Sequence, residues 1–177
     1  MHLRASGPGW RVEDVTCSAG PHDRPFEEQH ELVCVAAVTR GTFQYRTPNG
    51  RATLVPGALM LGNPGVCFEC GHEHGVGDRC LSFHFHPEFF EEIVASVPGA
   101  RRFSFTIPRL PPSEMLLPVI AAAEAAADDL GFEEAALRVA AAAATAESGS
   151  SEAVRNRGGN VRWMRSFAGS RQSRKSD

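Results

Sequence analysis

Long apolar runs are missing from this 177-residue chain. Its longest charge-free apolar stretches, residues 32–39 and 139–146, fall far short of the roughly 18 residues that a membrane helix needs. Met1 is followed by His2, Arg4 and Ser6 rather than by an apolar signal core. The expectation is a soluble, cytoplasmic protein with no membrane partner. Also absent are a Gly-x-Ser-x-Gly elbow, a phosphate-cradling glycine loop and a His-Glu-x-x-His helix. No common catalytic pattern is left, so the chain is not expected to be an enzyme. Internal repeats are lacking, and aromatic residues make up only 8%. The five cysteines (17, 34, 67, 70 and 80) form an odd set without a secretion signal. Free thiols or a metal site fit that better than a disulfide framework.

The length suits one compact domain of about 100–150 residues plus an appendage. Charge divides the chain further. Up to Glu147 there are 19 acidic and 11 basic residues, whereas residues 148–177 carry 2 acidic and 7 basic ones. An acidic body is a poor nucleic-acid binder, because neutralising phosphates needs a basic face. Between residues 17 and 107, short apolar runs alternate with turn chemistry, the pattern of an all-β domain. Residues 32–39 read as a strand buried on both sides, and residues 42–46 alternate Phe43 and Tyr45 with polar neighbours. Thr47-Pro48-Asn49-Gly50 reads as a hairpin turn back into residues 51–55. Pro56-Gly57 and Asn63-Pro64-Gly65 turn the chain into residues 58–61 and 66–70. A small barrel or jelly roll follows from this rhythm.

Residues 80–86 read as a further strand stopped by Pro87, which opens a helix with Phe89, Phe90, Ile93 and Val94 on its buried side. Residues 103–107 alternate like one more strand, and the β domain is expected to span residues 1–110. Between residues 121 and 146, 14 of 26 residues are Ala. With Gly131 as the break, two antiparallel helices are expected over residues 113–130 and 132–147. Such small-residue faces bury little area per residue, so docking on the barrel or on a second copy is expected of the 111–147 hairpin. Residues 148–177, with little to bury, are expected to form a basic, disordered or peripheral tail.

The densest set of metal-capable side chains is Cys67, Cys70, His72, His74, Cys80, His84 and His86. If residues 70–74 pair with residues 80–84 as a hairpin, His74 faces Cys80, His72 faces Ser82 and Cys70 faces His84. Cys70, His72, His74, Cys80 and His84 then become candidate ligands for Zn or another transition metal. A one-residue slip would undo that face. In the alternative, Cys70 and Cys80 pack as small apolar groups and the histidines sit on a wet strand face. Cys67-x-x-Cys70 opens no helix that would lower a thiol pKa, which argues against a redox pair. Glu27-Glu28 and Glu91-Glu92 read as solvated ends of elements. His30, just before a buried strand, is either structural or lines a ligand cavity of the kind small barrels hold.

The order of turn, buried strand, hairpin, Pro-Gly and strand resembles a cupin. Glu28, His30, Cys34 and Gly41 fall at the positions of the two His, the Glu and the final Gly of the first cupin motif. Gly50 and Pro56-Gly57 begin the second motif, with Cys67 or Phe68 nearest its His. Two of three first-motif ligands are replaced, so no cofactor is expected. More specifically, Asp23-Arg24-Pro25-Phe26-Glu27-Glu28-Gln29-His30, Pro56-Gly57-Ala58-Leu59-Met60-Leu61-Gly62-Asn63 and the run from Phe68 through Phe83 resemble the N-terminal sensing domain of AraC-family transcriptional regulators. The likeness covers about residues 10–147. It implies a mainly β, cupin-like barrel that binds a small-molecule effector, followed by a helical hairpin that makes a homodimer. The effector-binding candidates are Glu28, His30, Cys34, Tyr45 and Phe68. Only 30 residues follow Glu147, fewer than the ~50 of the smallest usual domain. The DNA-reading half of the family is therefore expected to be missing, with no sequence-specific DNA binding by this chain alone. A small cupin metal-binding protein or metalloenzyme using the Cys/His cluster is the alternative.

Overall fold

Glycines and prolines punctuate the first 110 residues into strands β1 (His2–Gly7), β2 (Trp10–Cys17), β3 (Phe26–Gln29), β4 (Val33–Gly41), β5 (Phe43–Thr47), β6 (Gly50–Leu54), β7 (Leu59–Gly62), β8 (Cys67–Gly71), β9 (Asp78–Phe85) and β10 (Arg109–Leu110). Helices α1 (Pro87–Ser96), α2 (Leu116–Ala125) and α3 (Asp129–Gly169) complete the chain. These elements come from a computed structural model that describes residues 1–72, 76–100 and 103–169. Its strands form two antiparallel sheets, one in the order β1-β2-β9-β4-β7-β10 and one in the order β3-β8-β5-β6. The architecture is the mainly β, double-sheet one that the turn rhythm predicts. Among the described residues, no strand pairing joins the two sheets.

Alternation along β4 shows how the layers are made. Val33, Val35 and Ala37 face the helices, where they pack with Phe83, Phe85, Phe90, Leu116, Phe132 and Val139. Cys34, Ala36 and Val38 face the space between the sheets, with Phe43, Tyr45, Leu54, Phe68, Cys70 and Cys80. A strand with both faces covered reads as a continuous apolar run rather than an alternating one. The result is three layers: the small sheet, the large sheet and the helices. Most of the buried polar side chains among the described residues lie in the gap between the sheets.

Four expectations are corrected. The hairpin between residues 70–74 and 80–84 does not form: β8 pairs with β3 and β5, whereas β9 lies between β2 and β4 in the other sheet. The segment between β8 and β9 crosses from sheet to sheet, held by Gly77 N–H donating to Ala19 O at 2.8 Å. At Gly41 (φ +79°), a Cβ would come within 2.2 Å of Gly77 O, so this approach needs a glycine. Residues 103–107 form no strand, and the sheet edge is instead the short β10. Asn63 explains this, since its amide brackets Phe105, accepting from Phe105 N at 2.8 Å and donating to Phe105 O at 2.9 Å. Glu147 accepts from Thr106 N at 2.9 Å and also from the Thr106 hydroxyl. Side chains thus satisfy the backbone that a ladder would otherwise pair.

The helix break also lies earlier than Gly131. Asp128 Oδ1 accepts from Gly131 N at 2.8 Å, an N-cap that starts α3 at Asp129 and leaves the glycine inside its first turn. Finally, α3 continues past Glu147 to Gly169 rather than ending there. Residues 170–177, the end of the expected basic tail, lie outside the described residues. Ala123, Ala135, Ala136, Ala140, Ala143 and Ala144 are buried in the same cluster as the outer face of the large sheet, so the Ala-rich helices dock on that sheet. No helix among the described residues is long and apolar enough to cross a membrane.

Candidate functional site

Between the sheets lies a cavity of about 590 Å³. At one end, Gly65 N–H donates to His30 O at 2.7 Å and His30 N–H to Val66 O at 3.1 Å, which ties the residue before β4 to the turn before β8. The imidazole stacks on Phe68, with ring centroids 4.1 Å apart and planes 18° apart. Tyr45, buried, donates its hydroxyl proton to Leu61 O at 3.1 Å. The 2.8 Å contact between Tyr45 Oη and His30 Nε2 therefore has the imidazole as donor. A Cβ on Gly62 would lie 2.3 Å from His30 Nε2, so the ring fills the place of a side chain there. Burial, with a smaller push from the His84 imidazole, lowers the His30 pKa from 6.5 to about 4. His30 is neutral at physiological pH.

The large sheet supplies a second polar row. The register aligns Arg11, His84 and Cys34 across β2, β9 and β4, and Glu13, Ser82 and Ala36 two positions further on. Arg11 Nε stands 3.4 Å from Glu13 Oε1, and Glu13 Oε2 stands 3.1 Å from His84 Nε2. His84 Nε2 lies 3.0 Å from Ser82 Oγ, which is 3.5 Å from Cys34 Sγ. Burial lowers the His84 pKa, and the Glu13 carboxylate opposes that shift. Burial raises the Cys34 thiol to about 11 and raises Cys70, Cys80 and Tyr45 as well. The buried thiols are protonated at neutral pH and are poor nucleophiles. Arg11 Nε is buried without a hydrogen-bond partner among the described residues.

Glu28, His30, Cys34 and Phe68 all line this cavity, whereas Tyr45 stands behind His30 as its support. The metal candidates do not gather. Cys70 and Cys80 pack in the apolar cluster between the sheets, His84 joins Glu13 and Ser82, and His72 sits near the opposite end of β9, bonded to Asp78. His74 lies outside the described residues. The expected common face depended on the hairpin that the crossover between sheets abolishes. Sequence reading missed Arg11, Glu13, Ser82, Cys17 and Asp78. The alternation of Trp10 and Val12 with Arg11 and Glu13 was the available signal for β2, but charged residues on a strand are ordinarily assigned to solvent.

A mainly β double sheet enclosing a lined cavity is the framework of a small-molecule-binding domain. A family model described as AraC-like ligand binding domain matches residues 16–146, and the chain belongs to that family. Solved structures are similar over smaller parts. Iron(II) HppE in complex with substrate is 17% identical with a TM-score of 0.39, over 44% of this chain and 47% of that one. A cupin domain from Bordetella pertussis Tohama I is 15% identical with a TM-score of 0.37, over 47% of this chain and 88% of that one. A cupin superfamily protein from Desulfitobacterium hafniense DCB-2 is 11% identical with a TM-score of 0.39, over 46% of this chain and 72% of that one. No curated protein matches the chain.

Proposed function

We propose that this chain senses a small-molecule effector in the cavity between its sheets and acts as the effector-binding and dimerisation module of an AraC-type transcriptional regulator in the cytoplasm. On this reading its role is regulatory rather than enzymatic. The observation that carries this reading is the cavity of about 590 Å³, at whose wall Arg11 Nε is buried with no hydrogen bond among the described residues beyond its long 3.4 Å ion pair to Glu13. A buried donor without an acceptor is costly, and an oxygen of a bound effector would satisfy it. Phe43, Met60 and Phe68 along the same cavity favour an apolar or aromatic body on that effector. Glu28 and His30 give hydrogen-bonding groups at the rim, and Cys34 a neutral, polarisable wall.

Dimerisation is assigned to the helical side. Met115, Leu117, Leu130 and Leu137 on or beside α2 and α3 are 52%, 51%, 74% and 40% exposed. Exposed apolar side chains on the helical layer support a partner surface there. The test combines binding and mass. A small-molecule library is screened by thermal shift against the wild type and against Ala36→Trp, which fills the cavity floor. Hits at 100 times their Kd should stabilise the wild type by about 2.7 kcal/mol and leave the variant unmoved. Sedimentation of Leu130→Glu/Leu137→Glu should give a monomer where the wild type gives a dimer. Hits that stabilise both proteins equally would contradict the sensing site, and an unchanged mass would contradict the interface.

A further inference from the structure

We infer that Cys17, His72 and Asp78 form a binding site for a borderline divalent cation, with Zn²⁺ as the best match to the donor set. The site is remote from the His30 end, because Asp78 and His84 stand six residues apart on the extended β9. Cys17 and Asp78 are direct partners in the β2–β9 register, so their side chains leave the same face of the large sheet. His72 follows β8 of the small sheet and reaches across to them. One ligand atom from each of the three residues lies within 4.8 Å of the others. Tetrahedral zinc with bonds of about 2.0–2.3 Å separates its ligand atoms by roughly 3.3–3.8 Å, so side-chain movements of about an ångström close the set.

Two further observations point to a ligand. The His72 side chain is only 1% exposed, yet its Nδ1 has no hydrogen-bond partner among the described residues. Its Nε2 lies 2.6 Å from Asp78 Oδ2. Ligation through Nε2, with the ring proton on Nδ1, would put a cation between Nε2 and the Asp78 carboxylate in place of their direct contact. Asp78 is itself 5% exposed, and its other oxygen accepts from Cys80 Sγ at 3.6 Å. Thiol, imidazole and carboxylate together favour Zn²⁺ over Mg²⁺ or Ca²⁺. On binding, the Cys17 S–H bond breaks, its proton passes to solvent, and the thiolate donates to the cation.

The backbone holds the donors in place. Gly77 (φ +71°) lies so close to β2 that a Cβ would meet Cys17 O at 2.6 Å. Among the described residues, Cys17 Sγ accepts the Ala19 N–H at 3.4 Å and makes no other hydrogen bond. Such a cation would clip the end of the large sheet to the segment leaving β8 and so fix the distance between the two sheets.

Titration of the full chain with Co²⁺, and competition by Zn²⁺, tests the assignment. Wild type and Cys67→Ser, which removes an exposed thiol elsewhere, should each take up one Co²⁺ and show a thiolate-to-cobalt charge-transfer band. Cys17→Ser should lose that band and bind at least roughly 10-fold more weakly. Absence of stoichiometric uptake by the wild type, or an unchanged band in Cys17→Ser, would overturn the site. Should the variant not fold, alkylation of the wild type decides the matter. Zn²⁺ should shield Cys17 but leave Cys67 reactive, and equal labelling of Cys17 with and without Zn²⁺ would overturn the assignment.

Discussion

Acidification should weaken this fold through His30, and by a computable amount. The imidazole is buried against Phe68 and Tyr45, and its pKa falls from 6.5 to about 4 on folding. A base whose folded pKa lies below its unfolded value contributes stability that is complete above the unfolded pKa. That contribution is lost as pH falls toward the folded one, because the unfolded chain binds the proton first. The window is therefore pH 6.5 down to 4. With those two values, linkage removes about 2 kcal/mol between pH 7 and pH 5, and about 3 kcal/mol by pH 4. For a chain of this size, 2 kcal/mol corresponds to about 4–8 °C in Tm. The assay is thermal unfolding of wild type and His30→Gln from pH 7 to pH 4, because the difference between the two curves cancels His84 and the carboxylates. Gln preserves a donor toward Tyr45 but carries no titrating group. The wild type should be more stable at pH 7 and lose its lead on acidification. Parallel curves, or an NMR titration placing His30 near 6.5, would refute the burial argument.

Three further outcomes follow from the same geometry. Gly62→Ala sets a methyl 2.3 Å from His30 Nε2, so overpacking should cost about 1–3 kcal/mol in urea unfolding and break the contact with Tyr45. Tyr45→Phe leaves the His30 N–H and Leu61 O without their shared partner, a loss of about 1–3 kcal/mol. Its double-mutant cycle with His30→Gln should show coupling. Glu147→Ala frees the N–H and hydroxyl of Thr106; hydrogen exchange should show faster opening of residues 103–107, with β4 and β9 unchanged.

The strands from β5 to β7 were legible because each ends in a Pro-Gly, Asn-Gly or Asn-Pro-Gly turn whose backbone demand only a few residues meet. The layer around β4 was legible too, since an unbroken apolar run means cover on both faces. Pairing between distant strands was not. Residues 70–74 and 80–84 look like the two arms of a hairpin, yet the crossover after Gly71 sends Cys70 and Cys80 into opposite sheets, and no local pattern marks it. The N-terminal hairpin escaped because Arg11 and Glu13 point into the cavity and neutralise each other there. Asn63 and Glu147 act as backbone partners for Phe105 and Thr106 across more than 40 residues, and spacing carries no trace of that. His30 was legible from its place before a buried strand, but Tyr45 turned out to be its support rather than part of the cavity wall.

The most direct measurement is a ¹H–¹⁵N spectrum of the protein with each small-molecule hit, assigned at the cavity walls. Binding as described predicts shifts concentrated at His30, Cys34, Phe68, Ser82 and the Arg11 Nε–H, and their disappearance in Ala36→Trp. Hits that shift only the outer helical face, or that shift the Ala36→Trp variant equally, would contradict the claim that the space between the sheets is the sensing site.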